Sequence, residues 1–325
     1  MFSLTTHHLR FVCEATTPLR LEAGTFRAGS NLRGALGQVM LRAYCAGDAR
    51  DAQHAADCPV HWLLAANEKP GEERRGYALV PPLPKAQRDC LNAGDVFEFG
   101  LTLFGSAQQF LPYFILAVPE MGRIGIGPGR GKFELVRVWA LNPLTGESEC
   151  LFGENGNVVR APTLVVNHAG VIHNAECRMP NAQFENQKSK IEIQFLTPMR
   201  LIDNAHTAKL PDFATLFVRL LERLDELEQQ FSEGHGRARE EVQHLRARAT
   251  KVEAREVQTR WVEVFSGSAR RGIPSPLSGF VGRAVYDAPR HVWQELLPWL
   301  LWGGLVQVGK GAVKGNGVMR IKDEG

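Results

Sequence analysis

Two stretches far apart in the chain alternate apolar and polar residues and then run into the same short phrase. LRFVCEATTPLRLEAG (9–24) and KIEIQFLTPMRLIDN (190–204) both end in Thr-Pro-Leu/Met-Arg-Leu. Alternation of this kind marks a half-buried strand. Proline lacks the amide that a strand ladder needs, so each strand must end or bend there. A helical pattern follows each: NLRGALGQVMLRAY (31–44) after the first, and the more strongly amphipathic FATLFVRLLERLDELEQQF (213–231) after the second.

Each half then closes alike. The apolar helical segments FLPYFILAVPEM (110–121) and HVWQELLPWLLW (291–302) lead into RIGIGPGRGKFELVRVW (123–139) and VQVGKGAVKGNGVMRIK (306–322), glycine turns that run into strands. The order strand, helix, strands, helix, glycine turn, strand therefore occurs twice. It predicts an α+β protein with a tandem duplicated ferredoxin-like (βαββαβ, RRM-like) plan. The expected division lies near residue 185, giving an N-terminal domain over 1–185 and a C-terminal domain over 186–325. Residues 232–260 carry seven Lys/Arg and five Glu with few large apolar groups. They read as a charged, solvated helical insertion, or as a basic face for RNA.

Length agrees with two domains: 325 residues exceed the usual single-domain size. An apolar fraction of 44% and a charged fraction of 22% are ordinary for a folded globular protein. The net charge of +3 is too small to argue for a nucleic-acid partner, so local clusters must carry that case. The opening MFSLTTHHLRFVCEATT lacks the basic start and apolar core of an export signal. VWQELLPWLLWGGLVQVG (292–309) is interrupted by Glu295 and Pro298 and reads as buried helix then strand, so no membrane span and a cytoplasmic protein are expected.

Six cysteines are scattered without a CxxC pair and should stay reduced in the cytosol. Cys45, His54, Cys58 and His61 lie close in sequence, but their spacing matches no standard ligand pattern. The expectation is two half-buried thiols beside surface histidines, with no metal.

The glycine turns fail as nucleotide loops. Gly304 to Lys310 imitates GxxxxGK, but Gly311 stands where a magnesium-binding hydroxyl is required, and LVQV is strand-like. Neither turn spells GxGxxG before a helix. No cofactor is expected. Glycine does permit positive φ and close backbone approach, and successive amides can form an anion-binding nest. Arg130, Lys132, Lys310 and Lys314 add charge that suits phosphates.

The block GFVGRAVYDAPRHVWQELLPWLLWGGLVQVGKGAVKGNGVMRI (279–321), with IGIGPGRGKFELVRV (124–138), LTPMRL (196–201) and WVEVFSGSARRG (261–272), resembles the CRISPR repeat-processing endoribonucleases of the RAMP superfamily. The resemblance implies two ferredoxin-like domains gripping a CRISPR repeat RNA and cutting it once without a metal. The 2′-OH attacks the adjacent phosphorus and leaves a 2′,3′-cyclic phosphate and a 5′-OH. In such relatives the base lies on or just after the first helix, often with Tyr or Lys nearby. Here that helix has no histidine, which makes His54 the first candidate base, His61 the second and Tyr44 the assistant. Lys310 and Lys314 are alternatives, because some relatives cut with lysine. His7 and His8 are expected to be terminal, and His291 structural. Arg123, Arg130, Lys132, Arg270, Arg271, Lys310 and Lys314 are the expected RNA contacts. The competing expectation is a non-catalytic RNA-binding subunit held among the proteins of a CRISPR effector complex.

Overall fold

The computed structural model describes residues 2–45, 47, 54, 57–64, 75–84, 88–153, 159–179, 188–203, 206–266 and 275–324. By contact the chain forms two units: residues 5–165 with 230–232, and residues 1–4 with 166–229 and 233–325. The expected division near residue 185 lies outside the described residues.

The N-terminal unit contains β1 (Thr6–Ala15), α1 (Ala28–Tyr44), the short α2 (Pro59–Leu64), β2 (Tyr77–Val80), β3 (Val96–Phe104), α3 (Leu111–Ile124), β4 (Phe133–Leu141) and β5 (Ser148–Phe152). Its sheet runs β2-β3-β1-β4-β5, with every pairing antiparallel. The C-terminal unit contains α4 (His168–Arg178), β6 (Lys188–Met199), α5 (Phe213–Phe231), α6 (Arg239–Ala249), β7 (Glu253–Val262), β8 (Gly279–Pro289), α7 (Arg290–Val306) and β9 (Met319–Glu324). Its sheet runs β7-β8-β6-β9, again antiparallel. With β5 set aside, both sheets have the order second-third-first-fourth. The duplicated βαββαβ plan is therefore present in strand order as well as in sequence order.

The apolar faces explain why these segments fold as they do. In α5, Leu216, Phe217, Leu220, Leu221, Leu224 and Leu227 are fully buried at helical spacing. In α1 a thinner stripe of Leu32, Leu36, Val39 and Met40 does the same work. Phe11 of β1 stacks on Phe99 of β3 with centroids 4.9 Å apart. In the second unit, the Trp293 indole donates to the Ser189 carbonyl (2.8 Å) and the Tyr286 hydroxyl to the Pro211 carbonyl (2.7 Å), so these large side chains are buried with their polar ends satisfied. The helix before each unit's glycine turn also carries an internal proline, Pro119 in α3 and Pro298 in α7, the ninth residue of its helix in both.

Three expectations are corrected. The charged stretch is helix only over Arg239–Ala249, and Glu253–Val262 is the strand β7. This strand lies at a sheet edge and is exposed on both faces, so it shows no period-2 alternation. Its charges are instead matched across the ladder, Arg283 to Glu256 at 3.0 Å and Arg255 to Asp287 at 2.8 Å, which suits an edge that must resist further pairing. The run Gln307–Gly309 is not a strand: α7 continues to Val306 and stops where Gln307 turns to φ 62°. His7 and His8 are not terminal but sit buried within β1.

Candidate functional site

The two glycine turns occupy the same place in the two copies but are built differently. In the first, α3 ends and the chain turns through positive φ at Gly125, Gly127, Gly129 and Arg130. Ile126 and Gly131 bridge across the turn, with the Ile126 amide donating to the Gly131 carbonyl at 3.0 Å. A Cβ on Gly131 would lie 2.6 Å from the Leu19 Cα, so this glycine is required by close backbone packing. Arg130 and Lys132 are exposed on the turn. Arg123, at the end of α3, is already held by Glu120 through two hydrogen bonds of 2.7 Å, which keep the Glu120 carboxyl below its ordinary range.

In the second turn the backbone amides are largely spent on the protein itself. Lys310 donates to the Arg200 carbonyl (3.1 Å), Gly317 to Pro198 (3.1 Å), Val308 to Gly317 (3.1 Å), Lys314 to Gly311 (2.8 Å) and Asn316 to Gly311 (3.2 Å). The buried Asn316 side chain donates to the Leu277 carbonyl at 2.8 Å. This turn is thus a close-packed structural element carrying an exposed Lys310 and a half-buried Lys314. Arg270 and Arg271 lie outside the described residues.

The expected catalytic residues gather at the C-terminal end of α1. Tyr44 closes the helix and meets Tyr113 of α3 edge to face, with centroids 5.5 Å apart. Burial and the nearby Glu120 carboxylate push its phenol above the ordinary value, so it stays protonated at neutral pH. His54 and His61 come together with Cys45 and Cys58, which corrects the picture of separate thiols beside surface histidines. One ligand atom from each of the four lies within 4.8 Å of all the others. Cys45 Sγ is 3.2 Å from His54 Nε2 and 3.6 Å from His61 Nδ1. Cys58 and His61 are buried, at 7% and 3% exposure, and the other two are half-buried.

A sequence signal for this gathering exists. His54, Cys58 and His61 stand at i, i+4 and i+7, one face of a helix, and the Cys58 amide donates to the His54 carbonyl at 2.9 Å. Scanning for cysteine-pair spacings misses it because Cys45 joins from the end of α1.

Two antiparallel four-strand cores of identical order, each with its cationic glycine turn, define a tandem ferredoxin-like protein. The family model of the CRISPR-associated endoribonuclease Cas6 matches residues 193–319, and a model described as the AF_1859 N-terminal domain matches residues 4–164. The chain is similar in structure to Cas6 from Thermus thermophilus, with 16% identity and a TM-score of 0.58, covering 98% of this chain and 99% of that one. A Cas6 product complex is matched at 16% identity and a TM-score of 0.58 over 98% of this chain and 100% of that chain. A partial Cas6-RT-Cas1–Cas2 complex is matched at 14% identity and a TM-score of 0.62, over 99% of this chain and 46% of that one. No curated protein matches the chain. The Cas6 family match thus falls on the second copy of the fold, and the likeness to solved Cas6 structures extends the same tandem fold over the whole chain. Among the described residues, no helix is long and apolar enough to cross a membrane.

Proposed function

We propose that this chain cuts CRISPR repeat RNA once per repeat, by attack of a ribose 2′-OH on the adjacent phosphorus, leaving a 2′,3′-cyclic phosphate and a 5′-OH. The observation that carries the reading is the Cas6 family match over the second copy of a fold whose two copies share one strand order. The reaction draws mainly on holding the RNA so that the attacking oxygen stands in line with the leaving oxygen, which requires no catalytic metal.

Exposed Arg130, Lys132 and Lys310 are proposed to hold phosphates, together with Lys314, Arg123, Arg270 and Arg271. Arg123 would have to exchange Glu120 for RNA, which makes it the weakest of these contacts. Tyr44, a neutral phenol at the end of α1, is proposed as the proton donor to the departing 5′ oxygen, a role worth roughly 10²–10⁴-fold. His54 and His61 were the expected proton carriers. They stand in a cluster with another use, argued below, and the reaction proposed here depends on neither. Because a relative of this fold is found in a Cas6-RT-Cas1–Cas2 complex, the protein partners proposed for this chain are other CRISPR-associated proteins.

The test is incubation of repeat RNA with the full chain and no added divalent ion. One cut bearing a cyclic phosphate is expected, and RNA with a 2′-deoxy group at the attacking position should bind but remain whole. The absence of a first helix histidine favours the second reading, a non-cutting RNA-binding subunit, and tight binding of unmodified repeat RNA without cleavage would establish it.

A further inference from the structure

The Cys45–His54–Cys58–His61 cluster does something the RNA reading leaves unexplained. Its setting is short of hydrophobic material. Residues 46–57 read AGDARDAQHAAD, with nothing apolar larger than alanine. The α2 that follows is six residues long, far below the roughly 12–15 residues at which an isolated helix becomes even marginally stable. Yet α2 is seated with Val60, Leu63 and Leu64 buried. Something other than side-chain packing from 46–57 must bring this segment back to α1.

We propose that Cys45, His54, Cys58 and His61 bind one zinc ion, which clamps the end of α1 to α2. The donor set of two thiolates and two imidazoles suits zinc, whereas magnesium and calcium require oxygen ligands. Four protein ligands close the coordination sphere, which is the mark of a structural rather than a catalytic site. With metal–sulfur bonds of about 2.3 Å and metal–nitrogen bonds of about 2.0–2.1 Å, the edges of a tetrahedron are about 3.3–3.8 Å. The sulfur–nitrogen separations of 3.2 and 3.6 Å at Cys45 lie at that scale. The two imidazoles meet at 82° with centroids 5.2 Å apart, so their nitrogens converge without stacking. Gly47 contributes by what it lacks, since a Cβ there would run into the His54 ring.

A disulfide between Cys45 and Cys58 would leave the two histidines without a reason to converge, and both cysteines are free thiols. Under the zinc assignment His54 and His61 are ligands, not proton carriers. A metal held this way is compatible with cleavage that uses none, because four protein ligands leave it no open position for substrate.

The test is metal analysis of the full chain purified without chelator. About one zinc per chain is expected, and cobalt exchanged into the protein should give the intense visible absorption of a tetrahedral thiolate site. Cys58→Ser and His54→Ala should each weaken cobalt binding on the order of 100-fold or more. Cys90→Ser, at an exposed cysteine outside the cluster, should leave it intact. A chain that carries no zinc and takes up cobalt without the thiolate spectrum overturns the proposal. So does a His54→Ala protein that keeps its zinc and loses only cutting, a result that leaves the RNA reading standing. Zinc present in a chain that cuts no repeat RNA does the reverse: the clamp holds and the endoribonuclease reading falls.

Discussion

The two units share a strand order, but their first strands, β1 and β6, satisfy their buried polar groups by opposite means. In the N-terminal unit β1 buries neutral groups: His8 has Nε2 against the Thr6 hydroxyl (2.9 Å) and Nδ1 against the Thr102 hydroxyl (3.2 Å). The equivalent strand of the second copy, β6, buries the charge of Glu192, matched by Arg283 at 2.9 Å. Arg237 pairs with Asp225 at 2.8 Å and lies over the Trp299 ring, its carbon 4.2 Å from the centroid. Arg223 donates twice to the Val306 carbonyl, at 3.0 and 2.9 Å, and so closes the end of α7. Topology fixes where polar groups become buried and demands that they find partners. It does not fix whether those partners are neutral or charged, and the choice decides what each unit is sensitive to.

The largest effect that could break this contrast lies in the charged unit. Arg237→Ala leaves the mostly buried Asp225 carboxylate without its partner, and a loss of about 3 kcal/mol is expected in urea unfolding. Replacing both, Arg237→Met with Asp225→Leu, should recover most of it. A single variant as stable as the parent would mean that the pair is not what holds α5 to the residues after it.

Acid probes the neutral unit. Burial, helped by the neighbouring His7, pushes the His8 imidazole down to about 3, whereas in the unfolded chain it titrates near 6.5. The unfolded state therefore takes up a proton first. The His8 contribution is complete above pH 6.5 and is lost as pH falls toward 3, at no more than about 1.4 kcal/mol per pH unit. Burial shifts His168 of the second unit in the same direction, so the informative measurement is the difference between parent and His8→Gln. The variant should show a shallower stability slope between pH 6.5 and 5, and an identical slope would remove His8 from the account.

The smallest effects separate the two glycine turns. Gly129 and Gly317 both have positive φ, but a Cβ on Gly129 meets nothing within 4 Å, whereas one on Gly317 strikes the Val308 carbonyl. Gly129→Ala should cost only about 1 kcal/mol of backbone strain. Gly317→Ala should cost more, up to about 3 kcal/mol. Equal losses would show that the second turn can give way as easily as the first.

Much of this architecture is readable from residues alone, and the failures have physical causes. The repeat was legible because Thr-Pro-Leu/Met-Arg-Leu recurs and because α5 presents leucines at helical spacing over its whole length. β7 was not, because an edge strand exposed on both faces has no buried side to impose alternation. His7 and His8 looked terminal because two histidines in sequence carry no sign that a threonine hydroxyl 94 residues away will receive one of them. At the candidate site, the ligand types were visible but their convergence was not. It needs Cys45 to meet a helical face nine residues further on, a matter of chain path rather than of spacing. The glycines of 307–317 suggested an anion nest, but their amides turned out to be engaged with carbonyls from the end of β6 and from the turn itself.

The prolines at the ninth position of α3 and α7 have a consequence for both copies. Proline supplies no amide hydrogen and its ring crowds the carbonyl four residues earlier, so each of these rods has a built-in soft joint about 12 Å from its start. The segment beyond that joint delivers the chain to its glycine turn. Both halves of the molecule thus lead to their cation-bearing turns through a helix weakened at the same position.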